Sequence, residues 1–335
     1  MPLDRRFVSY AQNAEDVVLW RALGHVSHGR YVEVGANDPV ESSISRAFYA
    51  HGWSGIEIEP VTEFVESFRR ARPRDTVVQA AVSDSTEESV TLYVVDGTGL
   101  STLDPEIAER HRGSGWEPRE TTVPSRRLDD VLAAELAPDD DIHFMVIDAE
   151  GSEASVLASV DLKRWRPWVL VVEATAPNTD RPTHDEWEDS VLAAGYVFCL
   201  FDGLSRFYVT GEKAAELGPA LSVPSNPFDG YVTHRESELD EELQSTRARL
   251  SKALEDQATT RQAHDRLLEE LVRWRGAVLA RWTQAADGGG AMVEGRAGHE
   301  VVRLRQELAA THATLSWRIT APLRSVQSRR LRGWQ

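Results

Sequence analysis

Four apolar segments in the first half of this 335-residue chain run into side chains that could do chemistry. Residues 31–34 lead into Gly35-Ala36-Asn37-Asp38-Pro39, and residues 55–58 into Glu59. Residues 76–82 lead into Ser83-Asp84, and residues 142–147 into Asp148-Ala149-Glu150-Gly151. A glycine directly after a strand lets a ligand approach the backbone closely. The spacing around Gly35 is neither G-x-G-x-x-G nor G-x-x-x-x-G-K-[ST], which disfavours a dinucleotide pyrophosphate and excludes a P-loop. Glu59, 24 residues after Gly35, stands where an acid accepts hydrogen bonds from ribose hydroxyls. Singly, each of these reads equally well as a turn glycine or a helix cap; Asp148, for one, is placed to cap a helix starting near Ser152. Four such ends, in order within one segment, fit an adenosine-type ligand that lacks a pyrophosphate, S-adenosylmethionine.

Methyl transfer from a sulfonium is an in-line displacement whose reactivity the cofactor supplies. The protein must align the acceptor and take its proton. An acceptor that is a weak acid requires a base or a metal to take its proton. The candidate bases are Asp148, Glu150, His184, His111 and His143. His143 opens a strand that points away from the other chemistry and is discounted. His111 falls in a polar stretch, 109–119, that reads as a loop or lid. His184 follows a strand. Asp148, Glu150 and Glu173 are an alternative set of oxygen donors for a divalent ion, and the sequence leaves the metal undecided.

These residues need a frame, and the hydrophobic pattern supplies one. Strands are expected at 31–34, 55–59, 76–82, 90–95, 142–147 and 168–173, with helices at 42–52, 61–70, 128–136, 152–160 and 187–194. Residues 196–201 and 206–210 flank Asp202-Gly203, a hairpin signal. Alternating strands and helices imply a mostly parallel sheet covered on both faces, with the hairpin as an antiparallel addition at one edge. Ligands of such sheets bind beyond the carboxyl ends of the strands.

The net charge of −17 argues against a general nucleic-acid binder. One cysteine, Cys199, rules out an internal disulfide and a cysteine-based zinc cluster. No apolar run approaches membrane-spanning length, and residues 1–6 lack the apolar core of a signal peptide, so a cytoplasmic protein is expected. From about residue 235 the composition turns to Glu, Leu, Arg, Ala and Gln. Leu239, Leu243, Leu250, Leu267, Leu271 and Val278 fit a heptad with several polar core positions. The stretch 236–278 is therefore either a coiled coil, with a homodimer through it, or a solvated helix. Residues 287–299 read as a glycine-rich linker. Residues 317–335 carry five arginines and no acid; with Trp317, Ile319, Leu323 and Val326 they fit a peripheral contact with an anionic membrane.

YVEVGANDP (31–39), GWSGIEIEP (52–60), AAVSD (80–84), IDAEGSE (147–153), VVEATAPN (171–178) and FDGLSRFYV (201–209) together resemble the FkbM family of S-adenosylmethionine-dependent methyltransferases. The stretch SYAQNAED (9–16) does so as well. The resemblance covers 7–234. It implies a class I, Rossmann-like methyltransferase fold: a seven-stranded, mostly parallel sheet with a terminal antiparallel hairpin, followed here by a helical extension (235–286) and a last segment, 300–335. It implies O-methylation, commonly of sugar hydroxyls on glycolipids, polysaccharides or glycosylated natural products. By position, Glu33, Gly35, Ala36, Asn37 and Asp38 would form the methionine-side loop, and Glu59 would hold the ribose. Ser83 and its neighbours would border the adenine, Asp148 would lie near the methyl group, and Gln12 would cover the cofactor. The chain departs from the family at Pro39, where many members have Gly, and at Val146, where many have Lys. Two rivals stand beside this reading. An NAD-dependent sugar-modifying enzyme lacks the required second and third glycines. A degenerate methyltransferase fold serving as an assembly module would have lost cofactor binding.

Overall fold

The computed structural model describes residues 7–137, 139–287 and 294–313. The chain divides into two units, Met1–Thr246 and Arg247–Gln335. In the first unit, a short strand β1 (Val8–Ser9) precedes helix α1 (Glu15–Leu23) and strand β2 (Arg30–Val34). Helix α2 (Ser45–Ala50), strand β3 (Ser54–Ile58), helix α3 (Thr62–Ala71) and strand β4 (Thr76–Val78) follow. Then come β5 (Ala81–Val82), β6 (Ser89–Val94), helix α4 (Pro105–Gly113), β7 (Arg119–Arg126) and helix α5 (Leu128–Glu135). Strand β8 (Phe144–Ile147), helix α6 (Glu153–Ala158), β9 (Val169–Glu173) and helix α7 (Glu188–Ala193) lead to the hairpin β10 (Tyr196–Phe201) and β11 (Ser205–Thr210). Helix α8 (Ala214–Leu221) and strand β12 (Val232–Thr233) complete the unit's elements, and the long helix α9 (His234–Asp287) starts at the next residue. Helix α10 (Glu294–Ala313) follows in the second unit.

Seven strands form the main sheet in the order β4-β3-β2-β8-β9-β11-β10. The pairs β3–β4, β2–β3, β2–β8 and β8–β9 are parallel. Strand β11 runs antiparallel to β9 and β10, so the hairpin lies at the edge the sequence indicates. This order, with one antiparallel strand inserted beside the last parallel one, is the class I methyltransferase layout.

The sheet is hydrophobic on both faces because alternate residues of each strand point to opposite sides. On one face Val32, Ile56, Met145 and Leu170 pack with Leu128, Val131 and Leu132 of α5 and Val156 of α6. On the other, Tyr31, Phe144, Val169 and Phe207 pack with Leu19 of α1, Phe48 of α2 and Leu217 and Leu221 of α8. Phe144 is fully buried, and truncating such a ring costs about 3–5 kcal/mol.

Some elements differ from the sequence reading. The expected continuous strand 76–82 divides between two sheets. Residues 76–78 stay on β3, whereas Ala81–Val82 cross to pair with Ser125 and Arg126 of β7 in a small three-stranded sheet. The polar stretch at 109–119 is not a loop over its first half, because Pro105–Gly113 is a helix. Asp104 caps it, accepting hydrogen bonds from the amides of Glu106 and Ile107, with Pro105 in its first turn. His111 lies buried on that helix. Helix α10 begins at Glu294, inside the expected linker 287–299. Leu239, Leu243, Leu250, Leu267 and Leu271 are exposed on α9. Residues 288–293 and the arginine-rich 317–335 lie outside the described residues. No helix among the described residues is long and apolar enough to cross a membrane.

Candidate active site

Strand register decides what meets at the carboxyl edge of the sheet. Val34 pairs with Ile58 on one side and Ile147 on the other, and Ile147 pairs with Val172. The next residue along each strand is therefore Glu59, Gly35, Asp148 or Glu173, in that order across four adjacent strands. Gly35 is the narrow point of this row. Its φ is +81°, and a Cβ there would run into the carbonyl oxygen of Asp148. Only glycine satisfies both the left-handed backbone and the close approach.

Beyond the row opens a cavity of about 600 Å³, within the range of small-molecule sites. Seven acids line it: Glu15, Glu33, Glu59, Asp148, Glu150, Glu173 and Asp180. No lysine, arginine or histidine among the described residues does so. A cavity lined by one sign of charge attracts the opposite sign. S-adenosylmethionine carries a sulfonium and an ammonium, so the donor set suits it.

On the β3 side the acids are engaged by backbone amides. Glu59 accepts from the amide of Asn37 at 2.9 Å through Oε2 and from that of Val61 at 2.7 Å through Oε1. It thereby ties the loop 35–37 to the end of β3. Burial pushes its carboxyl up to about 7, while the two amides pull it back. Glu33, under the same loop, faces the amides of Ile44 and Ser45 at 3.3 and 3.4 Å. The apolar wall here is made by Phe64, Ala80, Ala81, Val82 and Leu92, a surface that fits a flat base.

Gln12, Gly35, Ala36 and Asn37 line the cavity, but two of the expected cofactor residues do not. Asp38 closes a turn instead, accepting from the amides of Val40 and Glu41 at 2.8 and 2.9 Å. The chain turns at Pro39, so the Asp38 carboxylate serves its own loop. Ser83 faces away. Its Oγ lies 3.2 Å from Ser155 Oγ, because β5 has left the main sheet by this point.

On the β8–β9 side the acids face one another. Asp148 and Glu173 share a hydrogen bond. Burial, then the charges of Asp148 and Glu150, push Glu173 up. Burial, Asp148 and Glu153 do the same to Glu150. Like charges this close cannot all ionise in a buried place. Glu153, on the first turn of α6, accepts from the amides of Ala149 and Gly151 at 2.9 and 3.0 Å.

His184 does not join them. It sits in a short 3-10 turn, His184–Glu186, with Nε2 3.4 Å from Asp185 and 3.9 Å from Glu188, and it does not line the cavity. The chain doubles back at an isolated bridge between Thr175 and Pro182, which carries His184 onto the α7 side. His143 lies at the opposite end of the sheet, where Nδ1 accepts from the amide of Arg30 and the ring packs on Trp168.

The sequence reading missed Arg72. It is almost wholly buried and donates to Glu57 at 2.7 Å, to Ser43 and Ser45 at 2.6 Å each, and to the Pro39 carbonyl at 3.0 Å. It thus anchors the far end of the loop that starts at Gly35. The signal was Glu57, an acid inside an otherwise apolar strand, which requires a buried cationic partner. Glu15 was missed too. It lines the cavity beside Gln12, and burial with nearby Asp202 pushes its carboxyl up to about 8.

Residues 33–198 match the family model described as the methyltransferase FkbM domain. The chain carries an FkbM methyltransferase domain. It is an S-adenosylmethionine-dependent methyltransferase.

Among solved structures, the chain is similar to a TehB-like SAM-dependent methyltransferase from Corynebacterium glutamicum, with TM-score 0.32 and 9% identity over 58% of this chain and 87% of that one. CalO1, a methyltransferase in calicheamicin biosynthesis in its SAH-bound form, aligns with TM-score 0.30 and 14% identity over 59% and 54%. The CurJ carbon methyltransferase aligns with TM-score 0.34 and 10% identity over 60% and 56%. No curated protein matches the chain.

Proposed function

We propose that the FkbM domain methylates a hydroxyl oxygen, that of a sugar in a glycolipid, a polysaccharide or a glycosylated natural product. The observation that carries this reading is the row Glu59–Gly35–Asp148–Glu173, which puts a cofactor end and a carboxylate end in one cavity. Glu59 and the loop 35–37 hold the adenosine and methionine parts, with Gln12 above them. Glu150 and Asp148 face the acceptor. The acceptor oxygen attacks the methyl carbon in line, the carbon–sulfur bond breaks, and S-adenosylhomocysteine leaves with the electron pair on sulfur. The hydroxyl proton passes to a carboxylate of the cavity, and Glu150 is the one we propose as base.

Two further features support a polyhydroxylated acceptor. Asp180, Thr175, Asn178 and Thr179 form a polar wall beyond Glu173, and acids and hydroxyls are good partners for sugar hydroxyls. The absence of cationic side chains from the described lining disfavours a phosphate or carboxylate close to the methyl group.

The test is S-adenosylhomocysteine release by the purified chain against a panel of neutral glycosides and glycolipids, with the methylated atom located in the product. Methyl on a sugar oxygen is the expected result. A product methylated on carbon, or a chain that does not bind S-adenosylmethionine, would overturn the reading; the second outcome would leave an assembly module.

A further inference from the structure

Beneath the acceptor end of the cavity lies a group of acids that the methyl-transfer step does not need in full. Asp148, Glu153 and Glu173 each direct a carboxylate oxygen to one place, and the three oxygens lie within 4.8 Å of one another. The sequence had suggested Glu150 in such a set; the structure substitutes Glu153, because the turn at 149–152 folds α6 back under β8. Glu153 is held there by the amides of Ala149 and Gly151. A second observation points to a ligand. Glu173 is 8% exposed, it lines the cavity, and its Oε2 has no hydrogen-bond partner. A buried carboxylate oxygen left bare costs free energy unless something positive or protic meets it. No cationic side chain among the described residues lines this cavity, so no positive partner comes from its walls.

We propose that Asp148, Glu153 and Glu173 bind a hard divalent cation, of the magnesium or manganese class, at the floor of the acceptor end. All three donors are oxygens, which selects hard ions over zinc or copper. Metal–oxygen bonds of about 2.0–2.6 Å place donors on opposite sides of an ion about 4–5 Å apart, so the observed spread admits one. Three carboxylates against two positive charges leave one negative charge, a far smaller burden than three buried together. The ion's remaining positions face the cavity, where an acceptor hydroxyl would reach them. Ion binding is measured without any acceptor, so failure of the sugar reading would leave this inference standing, and the reverse holds as well.

The experiment is a titration of the full chain with manganese, following free Mn²⁺ by electron paramagnetic resonance. One site per chain is expected. Glu173→Gln should weaken it at least tenfold while S-adenosylmethionine affinity stays within about threefold. Asp148→Asn should weaken Mn²⁺ binding at least tenfold as well, and this readout alone serves should the first variant fail to fold. Glu66→Gln, an exposed acid on α3, should change nothing. No stoichiometric binding would overturn the proposal, as would a site indifferent to both Glu173→Gln and Asp148→Asn. Mn²⁺ displaced one for one by S-adenosylmethionine would assign the cluster to the cofactor's own positive charges and overturn it too.

Discussion

Glu59 and Glu173 occupy equivalent positions, each at or just past the last residue of a parallel strand and one strand outward from the Gly35–Asp148 contact, yet they are buried on opposite terms. Each oxygen of Glu59 meets a backbone amide. Glu173 meets another acid and keeps one oxygen bare. The first arrangement satisfies a carboxylate with the fold's own donors and fixes a loop. The second leaves the cluster dependent on protons or on a bound cation. The same residue type at the same edge of one sheet is therefore fully satisfied by the backbone on one side and left partly unsatisfied on the other.

The sharpest way to break that contrast is to remove the glycine between the two sides. Gly35→Ala combines a left-handed backbone with a Cβ against Asp148, at a cost of about 2–6 kcal/mol from strain and overpacking together. It should lower both stability, measured by denaturant unfolding, and cofactor affinity. A variant that keeps wild-type values for both would show that the two sides do not meet at this point.

Glu150→Gln should act on one side alone. Turnover is expected to fall about 10²–10⁴-fold, the range for loss of a general base, with S-adenosylmethionine affinity little changed in equilibrium binding. Glu59→Ala should do the reverse. Cofactor binding weakens by about 1–3 kcal/mol, the scale of charge-assisted hydrogen bonds and of the amides left unpaired, and turnover at saturating cofactor is affected less. Equal losses in both parameters for both variants would erase the division.

A smaller effect concerns pH. Glu15 is buried and its carboxyl is held up near 8, above its ordinary value near 4.5 in the unfolded chain. A carboxyl raised in the folded state stabilises it at low pH, and the contribution is lost as pH rises through the folded value. The ligand-free protein should therefore lose stability as pH rises from about 4.5 to 8, and Glu15→Gln should flatten that fall by about 1–2 kcal/mol. Thermal melts across the range, wild type against variant, measure this. An equally steep fall in the variant would place the titrating group elsewhere.

Much of the site could be read in the sequence because parallel strands put their functional residues at one end. Gly35, Glu59, Asp148 and Glu173 each follow or close an apolar run, and register alone aligns them. The residues that were misplaced depend on turns. Asp38 and Ser83 satisfy nearby groups of the fold rather than the cavity, and short-range spacing does not distinguish the two. His184 follows β9 by eleven positions, and the bridge at Thr175 and Pro182 that redirects the chain has no sequence mark. The division of 76–82 into β4 and β5 escaped notice because both pieces are equally apolar. Arg72 stands among Arg69, Arg70 and Arg74, and Glu57 inside β3 is the sequence mark of its buried place.

The smallest expected effect is that of removing residues 247–335, which should leave S-adenosylmethionine affinity within about twofold, because every lining residue of the cavity lies at or before Leu204. A larger change in calorimetric binding would tie the second unit to the cofactor end.

The two-residue strands β1 and β12 pair in parallel, Val8 beside Val232 and Ser9 beside Thr233. Strand neighbours lie about 4.8 Å apart, so the first and last strands of the unit hold its outermost sheet residues side by side. A unit whose ends adjoin can be spliced into a surface loop of another protein, or reopened at a new point after its ends are joined, without stretching its interior. Evolution and engineering alike can move it as one cassette, and in this chain the cargo attached at its last strand is a helix of 54 residues.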